Sequence, residues 1–148
     1  MRAVVQRIER ARVGVDGGTV SEIGKGVLVF LGIEKGDAEK DAEYLFQKIV
    51  HLRLFDDAEG KMNLSLEDIK GEMMVISQFT LLADCRKGRR PSFIAAEDPA
   101  PARLLYEYFI RIGRDRLGLI GSGQFQAMMK IDSVNDGPVT LILDSRRV

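Results

Sequence analysis

The sequence predicts an α+β fold, in which a largely antiparallel or mixed β-sheet, or a partial barrel, is combined with two long helices. Three observations favour this class. Extended apolar segments outnumber helical ones, two segments have the periodicity of long amphipathic helices, and the order of segments is not the regular strand–helix alternation of a doubly wound fold. The 148 residues are expected to form one domain over residues 1–148.

Alternation and continuous apolar runs mark the strands. In the opening segment, Val13 and Val15 alternate with smaller or polar residues, and the DGG that follows is typical of a hairpin turn. Long apolar runs indicate strands that are buried on both faces. The predicted extended segments read RAVVQRIERARVGVDGGTVSEI, KGVLVFLGIE, EMMVISQFTLLA, QFQAMMKIDSV and VTLILD.

Two helices are predicted from apolar stripes. The first lies within DAEKDAEYLFQKIVHLRLF, where apolar residues recur at spacings of four, three, four and three. Its stripe consists of Ala38, Ala42, Leu45, Ile49 and Leu52. The second helix begins with Asp98 as N-cap and Pro99 in the first helical position. Its predicted inward stripe consists of Leu105, Tyr108, Phe109 and Ile112.

Charge and residue counts argue against several classes of function. The 22 basic residues balance 22 acidic ones, so a polyanionic partner must be met by a local patch. The single cysteine, Cys85, excludes an internal disulfide, and the single histidine, His51, lies off the apolar face of its helix, as a solvated or helix-end residue does. Charges in the first residues argue against a signal peptide, and no apolar run could cross a bilayer, so we expect a cytoplasmic protein.

Polar residues interrupt one of the apolar strand segments. SQFTL places Ser77, Gln78 and Thr80 in a predicted strand, where Ser77 and Phe79 would face one way and Gln78 and Thr80 the other. Buried hydroxyl and amide groups need hydrogen-bond partners. Neighbouring backbone and a bound ligand are equally good candidates for those partners.

A basic run follows that strand segment. RKGRRPSF contains Arg86, Lys87, Arg89 and Arg90, and it brings Phe93 with it. Most charge runs are solvated surface. A basic run beside an aromatic residue and a polar strand end is also the combination that suits phosphate and base contacts, which favours a nucleic-acid or nucleotide ligand.

The stretch VNDGPVT, residues 134–140, lies between two strand-like segments. Asn, Asp, Gly and Pro together are typical of a tight hairpin turn, which is the simpler interpretation. The alternative is that the backbone at Gly137 and Pro138 is itself a recognition element, since a Gly-Pro bond can be cis.

Three of these segments together resemble the D-aminoacyl-tRNA deacylase family. They are MRAVVQRIERARVGV, KMNLSLEDIKGEMMVISQFTLLADCRKGRRPSF and NDGPVT, which occur in the family's order over nearly the full chain. The resemblance implies a D-aminoacyl-tRNA deacylase-like fold and a homodimer. It also implies hydrolysis of the ester that joins a D-amino acid, or mischarged glycine, to the 3′ end of tRNA, without a metal or organic cofactor.

The resemblance also assigns roles to residues. Gly137 and Pro138 would form a cis peptide unit whose carbonyls reach into the partner's pocket and reject L-amino acids. Three residues, Gln78, Phe79 and Thr80, would surround the reacting ester. Substrate would contact Ser77, Phe125, Ala95 and Ala96, and tRNA would contact Arg86, Lys87, Arg89 and Arg90. The family usually has a glycine where this chain has Gln126, which would matter if that position needs a positive φ or lines the pocket.

Thr80 would be the obvious nucleophile, but its neighbours in the sequence include no base, and an unactivated threonine hydroxyl is a poor nucleophile. We therefore favour backbone N–H groups that polarise the ester carbonyl, with the ribose 2′-hydroxyl assisting a water molecule. Two rivals stay open. One is a non-catalytic tRNA- or nucleotide-binding module, and the other is a small-molecule esterase or amidase that uses Thr80 directly. A structural interaction protein would leave the polar strand segment unexplained.

Overall fold

The computed structural model describes residues 1–146. Its strands are β1 (Arg2–Val15), β2 (Gly18–Ile23), β3 (Gly26–Gly32), β4 (Phe55–Asp56), β5 (Met62–Leu64), β6 (Glu72–Ser77), β7 (Ile120–Ser122) and β8 (Lys130–Asp144). The helices are α1 (Glu39–His51) and α2 (Pro99–Leu117), and a 3₁₀ turn (Phe79–Leu82) follows β6. Within the described residues, no helix is long and apolar enough to cross a membrane.

Strand β1 organises the main sheet because it pairs along both edges. One edge is antiparallel to β8, and the other is antiparallel to β3 in its first half and to β2 in its second. Strands β6 and β7 then add in parallel, so the order is β2-β1-β3-β6-β7, with β8 beside β1. The mixed sheet predicted from the sequence is therefore confirmed.

The sheet curls until its two ends meet. A Cβ atom placed on Gly121 of β7 would lie 2.8 Å from Ile23 Cγ2 and 3.0 Å from Ser21 Oγ, both in β2. Any larger residue at position 121 would push these strands apart, so the glycine permits the close approach. The predicted partial barrel is confirmed by this contact.

Apolar side chains form a core on each face of the sheet. Helices α1 and α2 cover one face, where Phe46 and Phe109 meet edge to face with ring centroids 5.8 Å apart. The second core lies on the opposite face and consists of Ile8, Ala11, Val13, Ile23, Leu28, Met74 and Ile76. Strands β3 and β6 contribute to both cores, as their continuous apolar runs predicted.

The helix predictions are confirmed in position but not in every facing residue. Ala42, Leu45 and Ile49 are buried in α1, whereas Ala38 and Leu52 are the caps at its ends. Helix α2 begins at the predicted Asp98–Pro99 junction. Its predicted stripe was wrong by about one position: Phe109 is fully buried, but Leu105, Tyr108 and Ile112 are only partly so. The buried residues of α2 are Ala102, Tyr106, Phe109, Ile110 and Gly113.

The predicted start of the last strand was also wrong. Residues 124–129 were expected to be extended, but β8 begins only at Lys130. Gln126 adopts a left-handed backbone with φ of +62°, and the Ala127 N–H donates to the Gln124 carbonyl at 3.2 Å. This turn ends the extended conformation, and it explains why a glycine suits position 126.

Tyr106 links α2 to β6 through a buried hydrogen bond. Its hydroxyl donates to the Val75 carbonyl at 2.8 Å, and the residue is 3% exposed. Burial raises the pKa of Tyr106 to about 12, because the phenolate would lose its hydration.

We expect Tyr106→Phe to lower the free energy of unfolding by about 1 kcal/mol at neutral pH, because one buried hydrogen bond is lost. The folded-state pKa of about 12 exceeds the unfolded value of about 10, so Tyr106 stabilises the fold below pH 10 and loses that contribution as the pH rises towards 12. Urea unfolding at about pH 8 and about pH 11 measures both effects. An equal difference between the two proteins at both pH values would contradict this account.

A second prediction concerns Gln126. A left-handed backbone costs a residue with a Cβ atom about 1–2 kcal/mol, and glycine adds an entropy cost of about 0.4–1 kcal/mol, so Gln126→Gly should raise the free energy of unfolding by about 0.5–1 kcal/mol. Gln126→Ala is the matched control, because it removes the exposed side chain and keeps the strained backbone. Chemical denaturation distinguishes the two variants. A gain in the alanine variant as large as that in the glycine variant would locate the effect in the side chain instead.

Candidate active site

Three parallel strands end at the same edge of the sheet. Strands β3, β6 and β7 run in parallel, and Ser77 at the end of β6 pairs with Leu31 near the end of β3. In sheets with parallel strands, ligands commonly bind outside the carboxyl ends of the strands. We call this side of the molecule the carboxyl edge, and most of the predicted site residues lie there.

The polar motif leaves the strand earlier than predicted. Strand β6 ends at Ser77, the Gln78 N–H donates to the Leu31 carbonyl at 2.8 Å, and the chain then enters the 3₁₀ turn. The prediction that Ser77, Gln78, Phe79 and Thr80 alternate on a strand is therefore wrong. A Cβ atom on Gly32 would lie 3.0 Å from the Gln78 carbonyl oxygen, so the turn folds over the end of β3.

Gln78 and Thr80 contact each other across this turn. The Gln78 side-chain amide, Nε2, donates a hydrogen bond to Thr80 Oγ1. An amide that donates to the hydroxyl oxygen cannot remove the hydroxyl proton, so this contact orients Thr80 without activating it. Thr80 and Phe79 are both exposed, and Phe79 retains 55% of its accessible surface.

Residues 92–96 pass beside the turn. The rings of Phe79 and Phe93 meet edge to face, with centroids 5.1 Å apart. Ala95 accepts a hydrogen bond from the Lys35 N–H at 2.9 Å, and Ala96 forms a β-bridge with Glu34 just after β3. The structure thus brings the predicted Ala95 and Ala96 to the carboxyl edge.

Phe125 reaches the same edge from β7. It follows the end of that strand and packs against Tyr106, with ring centroids 5.8 Å apart. Phe79, Phe93 and Phe125 therefore provide aromatic surface at the carboxyl edge. Such surface suits stacking with a nucleobase.

The basic run forms an exposed loop beside this edge, held by the bridge between Asp84 and Ser92. Arg86 is bound to Asp84 through two side-chain hydrogen bonds of 2.9 and 2.7 Å. This contact with the guanidinium holds the pKa of the Asp84 carboxyl well below its usual range. Within the described residues, Lys87, Arg89 and Arg90 are exposed and form no ion pair, so they carry the available positive charge.

His51 and Cys85 do not contact each other or the Gln78–Thr80 pair within the described residues, so they supply no acid–base pair there. His51 is the exposed last residue of α1, and its Nδ1 lies 2.8 Å from the Gln47 carbonyl. Cys85 is exposed with a free thiol. The prediction that His51 is a solvated helix-end residue is confirmed.

The stretch VNDGPVT is a bulge, and the hairpin interpretation is wrong. Both sides of it belong to β8 and pair with β1: Asn135 lies opposite Ile8, and Thr140 lies opposite Gln6. The residues between them have no counterpart on β1, so they protrude from the strand. The Gly137–Pro138 peptide bond is cis, as the resemblance implied.

Arg7 anchors this bulge. It is 7% exposed, and its guanidinium donates to the Asp136 carbonyl at 3.0 Å and to the Leu54 carbonyl at 2.7 Å. The carboxylates of Asp136 and Asp56 lie 3.4 and 3.7 Å away. Sequence reasoning missed Arg7, although a signal was present: it occupies the inward position that follows Ala3 and Val5 on an alternating strand.

The structure does not bring Gly137 and Pro138 to the carboxyl edge of their own chain. Arg7, which holds them, pairs with Val27 near the start of β3, whereas Ser77 pairs with Leu31 near its end. Four residues along a strand correspond to about 13 Å. The bulge therefore lies midway along β8, separated along the sheet from the Gln78–Thr80 pair, and Gly137, Pro138 and Thr80 are exposed.

Comparisons with known proteins show which family this chain resembles. The family model described as D-Tyr-tRNA(Tyr) deacylase matches residues 4–144. The D-aminoacyl-tRNA deacylase of Syntrophus aciditrophicus (strain SB) is 61% identical over 148 residues, covering 100% of this chain and 99% of the relative. That of Thermosipho melanesiensis is 54% identical over 149 residues, with the same coverage.

A solved structure has the same fold. The structure titled c-Myc DNA Unwinding Element Binding Protein superimposes with a TM-score of 0.92 at 41% identity, and the match covers 97% of this chain and 98% of that one. The match to the family model, the relatives identical at more than half of their positions and the shared fold agree with the resemblance that the motifs predicted. The chain belongs to the D-aminoacyl-tRNA deacylases, a family of hydrolases.

Proposed function

We propose that this chain hydrolyses the ester of D-aminoacyl-tRNA, and of glycyl-tRNA, as a homodimer in which each subunit completes the other's pocket. One observation carries the proposal: the exposed Gly137–Pro138 bulge lies about 13 Å along the sheet from the Gln78–Thr80 pair of its own chain. A rigid backbone element at that distance can meet a pocket only in a second copy of the chain.

Exposed apolar surface on β8 supports a second copy. Ile142 is 72% exposed and lies on the strand that carries Gly137 and Pro138. It pairs with Val4, whose neighbours Ala3 and Val5 point into the helix-covered core, so Ile142 faces the other side of the sheet. Burial of this side chain against a partner subunit would stabilise the dimer.

The pocket is suited to the 3′-terminal adenosine. Phe79, Phe93 and Phe125 offer aromatic surfaces for the adenine, and Ala95 and Ala96 leave room along the wall. Ser77 lies at the base of this surface, at the end of β6. In the proposed complex, the ester carbonyl faces the start of the 3₁₀ turn.

Backbone groups rather than side-chain acids or bases carry the chemistry in this proposal. The N–H groups of Phe79 and Thr80 open the 3₁₀ turn, where backbone donors have no partner within the turn. They can stabilise negative charge on the ester carbonyl oxygen as a water molecule attacks. The ribose 2′-hydroxyl assists that water, because Thr80 is oriented by an amide and not activated by a base.

Chirality is selected by exclusion. The partner's Gly137 and Pro138 carbonyls form a wall beside the Cα atom of the substrate, so an L-side chain would collide with backbone while a D-side chain points away. Glycine has no side chain and passes the same wall. This exclusion does not depend on which side chain the amino acid carries, so several D-amino acids are accepted. The substrates of this reaction are found in the cytoplasm, where we place the protein.

A binding module on the same fold is the main rival, since the solved structure with 41% identity is named for DNA binding. The exposed aromatic residues and the basic loop would serve such a function equally well. An assay of ester hydrolysis with matched substrates distinguishes the enzyme from a binding module. A small-molecule esterase would be recognised because its rate would not depend on the ribose.

We expect this protein to hydrolyse a D-aminoacyl-tRNA at least about 100-fold faster than its L-counterpart, because a backbone collision costs several kcal/mol. The same D-substrate ending in 2′-deoxyadenosine should react at least about tenfold more slowly, and Thr80→Ala should retain most activity. Release of the labelled amino acid under single-turnover conditions measures all three rates.

Sedimentation of the same preparation provides the control for assembly, and a dimer is expected. Equal rates for D- and L-esters would rule out the Gly137–Pro138 wall. Tight tRNA binding with no hydrolysis of any ester would establish the binding module. Loss of activity in Thr80→Ala, with full activity on esters that lack a ribose, would establish the small-molecule esterase.

The basic loop provides a separate prediction. We expect Arg89→Ala and Arg90→Ala to weaken tRNA binding and to reduce the slope of log affinity against log salt by about 1 each, because each removes one phosphate contact. Arg86→Ala should have a smaller effect, since Asp84 already compensates the charge of Arg86. Arg116→Ala is the control, because Arg116 lies at the far end of α2 and is paired with Glu67 at 2.6 Å. Equal losses in all four variants would contradict a localised contact.

A further inference from the structure

The Leu81 carbonyl, in the 3₁₀ turn that carries Phe79 and Thr80, accepts no backbone hydrogen bond within the described residues. A 3₁₀ hydrogen bond to the Leu81 carbonyl would come from the N–H three residues later, which is that of Asp84. The Asp84 N–H instead donates to the Ser92 carbonyl at 2.8 Å, in the bridge that holds the basic loop. The Leu81 carbonyl is thus left for a donor from another part of the chain.

Arg2 supplies that donor. Its Nη1 donates to the Leu81 carbonyl at 2.7 Å, and its Nε and Nη2 lie 3.4 and 3.3 Å from Asp144 Oδ2. Asp144 is the last residue of β8, and its side chain is only 12% exposed. A planar guanidinium can hold a carbonyl and a carboxylate at once in a fixed geometry, which a single ammonium cannot do as well.

The position of Arg2 in the sheet makes the contact stiff. Arg2 begins β1 and pairs with Gly32 of β3 on one side and with Asp144 of β8 on the other. The turn lies directly over Gly32, where a Cβ atom would be 3.2 Å from Leu81 Cβ. The guanidinium therefore holds the turn from a strand that is hydrogen-bonded to neighbours on both sides.

We propose that Arg2 is a positioning residue for the reaction: its guanidinium, held by Asp144, sets the place of the 3₁₀ turn and hence of the Phe79 and Thr80 N–H groups. This inference rests on the proposed function of that turn. Arg2 acts through the Leu81 carbonyl and touches no substrate, so its removal should change the chemical step more than binding. A donor displaced from the developing oxyanion stabilises the transition state less while ground-state contacts persist.

The test compares Arg2→Met with Arg12→Met. Arg12 lies on the same strand and forms a cross-strand ion pair of the same kind, to Asp132 of β8 at 3.0 Å, but it does not contact the turn. We expect Arg2→Met to lower kcat about tenfold with KM changed by less than about twofold, and Arg12→Met to leave both unchanged. Asp144→Asn, which keeps the Arg2–Leu81 bond, should give a smaller loss.

Amide hydrogen exchange provides a readout that does not depend on activity. The hydrogen-bonded N–H groups of Leu81 and Ala83 should exchange faster in Arg2→Met than in the wild type, whereas Arg12→Met should match the wild type. Unchanged kcat and unchanged exchange in Arg2→Met would overturn the proposal. An equal loss of kcat in Arg12→Met would also overturn it, because the effect would then be general to cross-strand ion pairs.

Two further outcomes are distinguishable. If the wild-type protein does not hydrolyse D-aminoacyl-tRNA, the proposed function fails, and the exchange measurement still decides whether Arg2 fixes the turn. If Arg2→Met does not fold, Arg2→Lys decides instead, because lysine keeps the charge but lacks the planar guanidinium that holds Leu81 and Asp144 in a fixed geometry. A reduced kcat in Arg2→Lys supports the proposal, and a wild-type kcat overturns it.

Discussion

The pairing of β1 along both of its edges is the constraint on which the rest of the molecule depends. This fourteen-residue strand bonds to β8 on one side and to β3 and β2 on the other. Its register with β3 sets where the parallel strands end, and its register with β8 sets where residues 136–139 must protrude. A slip of one residue would turn every side chain of β1 to the opposite face. Both parts of the proposed site are therefore placed by one strand.

Arginines on β1 extend this control beyond the backbone. Arg7 uses its guanidinium to hold the carbonyls of Asp136 and Leu54, which fixes the bulge in the middle of β8. Arg2, at the start of β1, holds the Leu81 carbonyl and the Asp144 carboxylate. In each case a charged side chain is buried or half-buried, which is tolerated because its donors are paired with oxygen atoms. The two arginines connect β1 to the two separate elements of the site.

The division of the proposed site between two parts of the sheet has a chemical advantage. The element proposed to discriminate between enantiomers and the element proposed to stabilise the reacting ester are held by different contacts, so each can be rigid without distorting the other. The carboxyl edge contains aromatic surface, an amide and a hydroxyl, and neither His51 nor Cys85 contacts the Gln78–Thr80 pair within the described residues. The proposed mechanism therefore depends on placed backbone donors and on the hydroxyl that the RNA itself brings.

Periodicity was enough to predict the two helices, the Asp98–Pro99 start of α2 and the strands buried on both faces, because these follow from local preference and burial. The family motifs also led to the site residues proposed at Ser77–Thr80 and at Gly137 and Pro138, since the motifs are read directly from the chain, and the roles of these residues stay predictions. The predicted inward-facing stripe of α2 was wrong by about one position. Neighbouring residues such as Leu105 and Tyr106 both have apolar surface, so only the elements that pack against the helix decide which of them is buried.

Other features could not be read from any local stretch. Strand β6 stops at Ser77 because the chain then turns over the end of β3, and the run of turn residues at 134–140 is a bulge because both of its flanks pair with β1. The burial of Arg7 and the distance between Gly137 and Ser77 likewise depend on contacts between residues far apart in the chain. The sequence by itself determined the elements and the chemical groups available. Only tertiary pairing decided where each strand ends and which groups meet, because the hydrogen-bond partners that settle both come from elsewhere in the chain.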